Sequence, residues 1–150
     1  MNSYIKKFIS IADFLGEVLG SNTEIILHDL INYDHSIVHI INGHISNRKI
    51  GDSITDLVLE FMITESKGNK QFICNYNSKA TGDNLLYSST YFIRDEKNNI
   101  VGALCLNSDY NEEFKNEYRI IDSSSYKITD RIKNKKFDEK YITKINYINI

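Results

Sequence analysis

The sequence has no proline, no tryptophan and only two cysteines among its 150 residues. Two thiols, Cys74 and Cys105, cannot form the disulfide framework that staples small secreted domains. No segment approaches the roughly 20 consecutive apolar residues that a membrane-spanning helix needs, and the start MNSYIKKFISIADF lacks the apolar stretch of a secretory leader. The expectation is a soluble cytoplasmic protein with no membrane partner. A dominant charge is missing as well. The 18 Lys plus Arg and 20 Asp plus Glu leave a net charge of -2, which argues against a chain given over to nucleic-acid contacts but leaves room for a local basic patch. What is present suits one globular domain: 41% hydrophobic residues, 25% charged residues, and 10 Tyr with 7 Phe to fill a core. A chain of this length buries roughly 70% of the surface its unfolded form exposes. Asn is so abundant that it counts as a turn signal only beside Gly.

From Tyr4 to Leu19, the residues Ile5, Phe8, Ile9, Ala12, Leu15 and Leu19 recur at helical spacing, with Gly20 placed as the C-terminal cap. EIILHDL, Glu24 to Leu30, and HSIVHII, centred on Ile37 and Val38, are short and rich in β-branched residues, which predicts an antiparallel strand pair. Asn42 to Asp52 has a Gly near each end and no period, the pattern of a loop leaving the sheet. Ser53 and Asp56 form a variant capping signal for a second helix, whose apolar residues Ile54, Leu57, Val58, Phe61 and Met62 run toward Ser66. Strand-like runs follow at 71 to 76, 85 to 95 and 100 to 107, the last two joined by a polar hairpin loop. The expected fold is α+β, a five-stranded antiparallel sheet with helices on one face, occupying residues 1 to 110. Residues 111 to 150 are expected to be a charged, partly helical extension, mildly basic with 9 basic and 7 acidic side chains.

Helix, two strands, helix and three strands is the order of a sensor-type PAS domain, and particular words narrow it. LHDL (27–30), HSIVHIINGHISNRKIGD (35–52), TDL (55–57), SST (88–90), FIRDE (92–96) and IVGALCLNSD (100–109) resemble the YheO-like PAS domain of bacterial transcriptional regulators. Relatives in that family include repressors of D-arginine utilisation. The resemblance covers about Ile5 to Asp109, and it makes an amino-acid-like ligand plausible. In that family a helix-turn-helix follows the PAS domain. Such a helix pair needs a tight turn, often containing Gly, and nothing after Gly102 is glycine. DNA contact is thus expected only through a helix-turn-helix absent from this chain, which is either the sensory part of a larger regulator or a descendant of one that lost its DNA-binding half.

The sharpest site candidate is the loop Asn42 to Asp52. Gly43 and Gly51 would free the backbone to adopt positive φ, and Asn42, His44, Ser46, Arg48 and Lys49 offer groups for a carboxylate or phosphate. The plainer alternative is a surface turn in which Arg48 pairs with Asp52 or Asp56. Within Ser88-Ser89-Thr90 alternate hydroxyls face opposite sides of a strand, and Ser89 and Thr90 are expected to line the floor of a pocket under the loop. The four histidines at 28, 35, 39 and 44 hint at a metal, yet only His35 and His39 share a strand face and no third ligand is evident, so no metal is expected. No cofactor is expected either. Cys74 and Cys105 sit in strands, where a free thiol behaves as a small buried hydrophobe. A Ser89, His44, Asp29 triad lacks the G-x-S-x-G elbow, and no catalytic set stands out. The leading reading is a non-catalytic sensory domain that binds a small polar metabolite and, by a change of conformation or dimer arrangement, controls DNA binding elsewhere. The competing reading is a ligand-free dimerisation or docking module. The N-terminal helix stripe suits either cover for its own sheet or pairing with a second copy, and a homodimer is expected.

Overall fold

The computed structural model describes residues 1–80 and 84–109. The expected helical extension over 111–150 lies outside the described residues. The elements in chain order are α1 (Ser3–Lys6), α2 (Ile9–Leu19), β1 (Thr23–Asp29), a 3-10 turn (Tyr33–His35), β2 (Ile37–Ile41), α3 (Asp56–Glu65), β3 (Phe72–Lys79), β4 (Leu85–Arg94) and β5 (Ile100–Asp109). The five strands form one sheet in the order β2-β1-β5-β4-β3, every neighbouring pair antiparallel. The predicted β4-β5 hairpin is present, closed by Asp95, whose carboxylate accepts from the backbone of Lys97 and Asn99. Asn98 supplies the left-handed residue of that turn at φ 67°.

The layers differ from the expectation of helices on one face. Ile26, Phe92, Ala103 and Cys105 pack with Ile54, Val58 and Met62 of the α3 segment. Ile25, Leu27, Ile93 and Leu104 pack instead with Ile5 and Ala12 of the N-terminal helices. Because side chains alternate along a strand, consecutive residues of β1 feed opposite cores, and all seven residues of β1 are buried. The sheet is therefore sandwiched, α1 and α2 on one face and α3 on the other.

The N-terminal helix is also broken where one helix was predicted. Asn2 caps α1 by accepting from the Tyr4 amide, while its own amide donates to the Asp29 carboxylate at 2.6 Å, anchoring the chain start to β1. A tight Phe8 N–H to Ile5 carbonyl bond then re-aims the chain into α2. Gly20 ends α2 as anticipated, but with φ 75° and ψ -170° it takes an extended conformation open to glycine and not the left-handed helical one. Helix α3 is capped by Thr55, whose hydroxyl accepts from the Val58 amide, in place of Ser53. At the other end of α3, Arg94 donates to the carbonyls of Glu65, Gly68 and Lys70. A guanidinium there satisfies acceptors that the helix leaves open and complements the negative end of its dipole.

Candidate functional site

Between the α3-facing side of the sheet, the loop after β2 and the first turn of α3 lies a cavity of about 590 Å³. Its floor is laid in cross-strand rows. Register places Glu24 opposite Asn107, Asn107 opposite Ser88 and Ser88 opposite Tyr76, a polar row across four strands. The next row pairs Ile26 with Cys105 and Cys105 with Thr90, and it is mostly apolar. A single face thus has a wet end and a dry end.

The polar row is connected. Ser46 donates to Glu24 Oε1 at 2.5 Å, and the Asn107 amide donates to Glu24 Oε2 at 2.8 Å. Ser88 donates to Asn107 Oδ1 at 2.8 Å and is 2.6 Å from the Ser78 hydroxyl. Beside this chain, Tyr76 meets Thr90 at 2.7 Å, and Thr90 meets the Cys105 sulfur at 3.4 Å. Burial pushes the Cys105 thiol up to about 11 and also raises the Tyr76 phenol. His28 lines the wall with its Nδ1 held 2.9 Å from Ser36 Oγ. Burial, with the Arg48 guanidinium as a second cause, brings its imidazole down to about 3, so it is neutral at pH 7.

The loop residues divide sharply. Ser46 is buried and lines the cavity with Arg48. Arg48 donates from Nη2 to the Ser53 carbonyl, just ahead of α3, so the expected pairing with Asp52 or Asp56 is not the contact made. Asn42 turns elsewhere, donating from Nδ2 to the carbonyls of Gly20 and Thr23 at 2.9 and 2.7 Å. It is Asn42, at φ 56°, that takes the positive φ assigned to Gly43. Gly43 is needed for close approach, since a Cβ there would lie 2.5 Å from the Arg48 carbonyl. His44 and Lys49 are exposed and do not line the cavity. On β4 the expected floor pair splits by parity. Thr90 is buried on the cavity side of the sheet, whereas Ser89 faces the other way and accepts from the Asn75 amide at 3.1 Å. Ser88, two residues from Thr90, is the second inward hydroxyl.

Glu24, Tyr76, Ser78 and Asn107 went unread in the sequence as site residues. Their signal was the shared strand parity with Ser88 and Thr90, visible only once the register is known. The histidines do not converge: His28 is at the cavity, His35 binds the Gly51 carbonyl, His39 pairs with Asp13 of α2, and His44 is exposed. Among the described residues no cluster of His, Cys, Asp or Glu is arranged to hold a metal. Cys105 is buried as anticipated, but Cys74 is exposed.

A five-stranded antiparallel sheet covered by helices, with the sheet order seen here, is a PAS-like arrangement. The family model of the YheO-like PAS domain matches residues 1–124, and the chain belongs to that family. The chain is 35% identical over 103 residues to an uncharacterized protein of Haemophilus influenzae, covering 69% of this chain and 46% of that protein. It is 32% identical over 110 residues to the uncharacterized protein YheO of Escherichia coli K12, covering 73% of this chain and 46% of YheO. The match thus spans about half the length of these relatives. Among solved structures, the dark structure of the blue-light photoreceptor Aureochrome1 LOV aligns with a TM-score of 0.44 and 14% identity, over 76% of this chain and 88% of that one. No helix among the described residues is long and apolar enough to cross a membrane.

Proposed function

We propose that this domain is the cytoplasmic, non-catalytic sensory part of a transcriptional regulator. It binds a small carboxylate-bearing metabolite in the cavity, and occupancy controls DNA binding by a helix-turn-helix elsewhere in the regulator. The observation that supports this most directly is the cavity wall itself. A guanidinium with no carboxylate partner among the described residues stands over a buried, hydrogen-bonded polar floor. Arg presents a planar fork that matches a carboxylate, and the site's volume is in the range for metabolites. The ligand would also compete with the Ser53 carbonyl for Arg48, and Ser53 lies against the start of α3. Binding can therefore favour one position of that helix over another.

Arg48→Ala is expected to weaken carboxylate binding by about 1.5 to 3 kcal/mol, the range for hydrogen bonds to a charged group. Arg48→Lys keeps the charge, loses the fork and falls between. Calorimetry with D- and L-amino acids and simple carboxylic acids measures this, and equal affinity in wild type and Arg48→Ala would remove Arg48 from the site.

The same regulator reading includes a homodimer. On α2, Ile11, Phe14 and Val18 recur on the outer face at 43%, 64% and 61% exposure. Pairing of two copies along this stripe would cover its apolar residues. Phe14→Glu should leave the fold intact and shift the sedimentation coefficient from dimer to monomer. A wild-type chain that sediments as a monomer at high micromolar concentration would end this proposal.

A further inference from the structure

We propose that His28 is a ligand-binding residue: its Nε2–H and the Arg48 guanidinium together take the oxygens of one carboxylate, and the carbon chain behind that carboxylate carries no ammonium and lies along the apolar middle of the cavity. This rests on the cavity being a metabolite site. It adds a second contact to the head group and commits the ligand to an aliphatic carboxylic acid.

Burial keeps the His28 ring neutral, so a single nitrogen carries its proton. Which nitrogen that is follows from Ser36. The Ser36 side chain is fully buried, and His28 Nδ1, 2.9 Å from its Oγ, is the partner of that hydroxyl among the described residues. A proton on Nδ1 would point at Ser36 and leave the hydroxyl proton with no acceptor in the interior, which is costly. Ser36 therefore donates to Nδ1, and the hydrogen-bond network assigns the ring proton to Nε2. That nitrogen has no partner among the described residues. Among those residues, Arg94 Nε is the side-chain polar atom both sealed from solvent and unpartnered. His28 Nε2 therefore touches open space, and the space that His28 lines is the cavity.

Two donors thus share one wall, and neither can bond the other. The imidazole N–H and the guanidinium only donate, so an acceptor with two oxygens satisfies both. A carboxylate is such a group. An ammonium on the adjoining carbon would lie beside the same donors and be repelled by Arg48. A phosphate fits less well, because Asp56 lines the same cavity and opposes a second negative charge. Register then sets what lies behind the head group. Ile26 shares the strand face of His28 and pairs with Cys105. Ile54 and Val58 pack with that pair and line the cavity with it. Asn107, in the polar row, lies opposite Glu24, which is about 13 Å along β1 from His28 at the usual strand rise. A chain that starts at His28 and Arg48 therefore crosses apolar wall before it meets polar groups, and each methylene laid there adds to binding.

Two measurements on the full chain test this. Nitrogen NMR of the free protein should find the His28 proton on Nε2 and none on Nδ1, and the reverse tautomer would overturn the inference before any ligand is added. Butanoate, hexanoate, norleucine and hexyl phosphate are then titrated by calorimetry. Hexanoate should bind about fivefold more tightly than butanoate, and about tenfold more tightly than norleucine or hexyl phosphate. It should also shift the His28 Nε2 resonance. His28→Phe keeps a flat ring and removes the donor, and it should lose about tenfold in hexanoate affinity. Where that variant does not fold, the wild-type Nε2 resonance decides. Hexanoate that binds and leaves Nε2 unmoved, or norleucine that binds as tightly as hexanoate, would overturn this inference and leave the metabolite reading standing. Absence of binding by every probe would overturn both.

Discussion

Gly102→Ala is expected to destabilise the domain by about 2 to 3 kcal/mol, the upper part of the range for forcing a methyl into a packed core. Gly102 lies in β5 between Asp29 of β1 and Ile93 of β4. A Cβ there would meet Ile5 Cδ1 at 2.0 Å and the His28 carbonyl oxygen at 2.6 Å. The carbonyl belongs to the neighbouring strand and cannot retreat. Ile5 is fully buried in the cluster with Ala12, Ile25, Leu27, Ile93 and Leu104, so it has little room to swing away. The absent side chain is what lets α1 sit directly on the sheet. Urea unfolding of Gly102→Ala, Ile5→Ala and the double variant measures the conflict. The glycine substitution should cost distinctly less in the Ile5→Ala background, because part of the clash is gone. A change below about 0.5 kcal/mol in Gly102→Ala would show that the strand accommodates the methyl and that the close approach is not required.

The elements themselves were legible because local rules carry them. The helical spacing of Ile5 to Leu19, the β-branched runs and the hairpin at 96–99 all needed only short-range chemistry. Layering was harder, although a signal existed. Ile25-Ile26-Leu27 is an uninterrupted apolar run, and such runs mark strands covered on both faces. Alternation would have been the pattern for helices on one side only. The break between α1 and α2 left no such mark, because it follows from Ile5 seeking the space over Gly102 while α2 packs against β1 and β2.

The site was legible where it depended on side-chain chemistry and opaque where it depended on register. Ser46 and Arg48 were read from a Gly-flanked loop with suitable donors, and both line the cavity. Asn42 carried the same promise, but its amide fastens the loop to the turn after α2. Ser89 and Thr90 were read together, although neighbours on a strand must face opposite ways. Glu24 is the instructive omission. Within EIILHDL it looks like the polar start of a strand, and only pairing with Asn107 places it in the polar row.

Acid should destabilise this domain through His28 in particular. The folded-state value is about 3, against about 6.5 in an unfolded chain. Between those values the unfolded chain takes up a proton that the folded chain refuses, so stability falls as pH drops below about 6.5, and the loss is complete near 3. The contribution of this one group reaches about 3 kcal/mol by pH 4, a large part of the stability of a small domain. The physical cause is its position: the ring is 1% exposed, anchored to Ser36, and shares the cavity wall with the positive charge of Arg48. His28→Asn keeps an acceptor or donor near the place of Nδ1 and removes the titration. Urea midpoints at pH 7, 5.5 and 4 should fall more steeply in wild type than in His28→Asn, whatever the variant's stability at pH 7, because the carboxylates titrate in both. Parallel pH profiles would mean that the folded domain admits the proton at His28, and that burial does not hold this imidazole neutral.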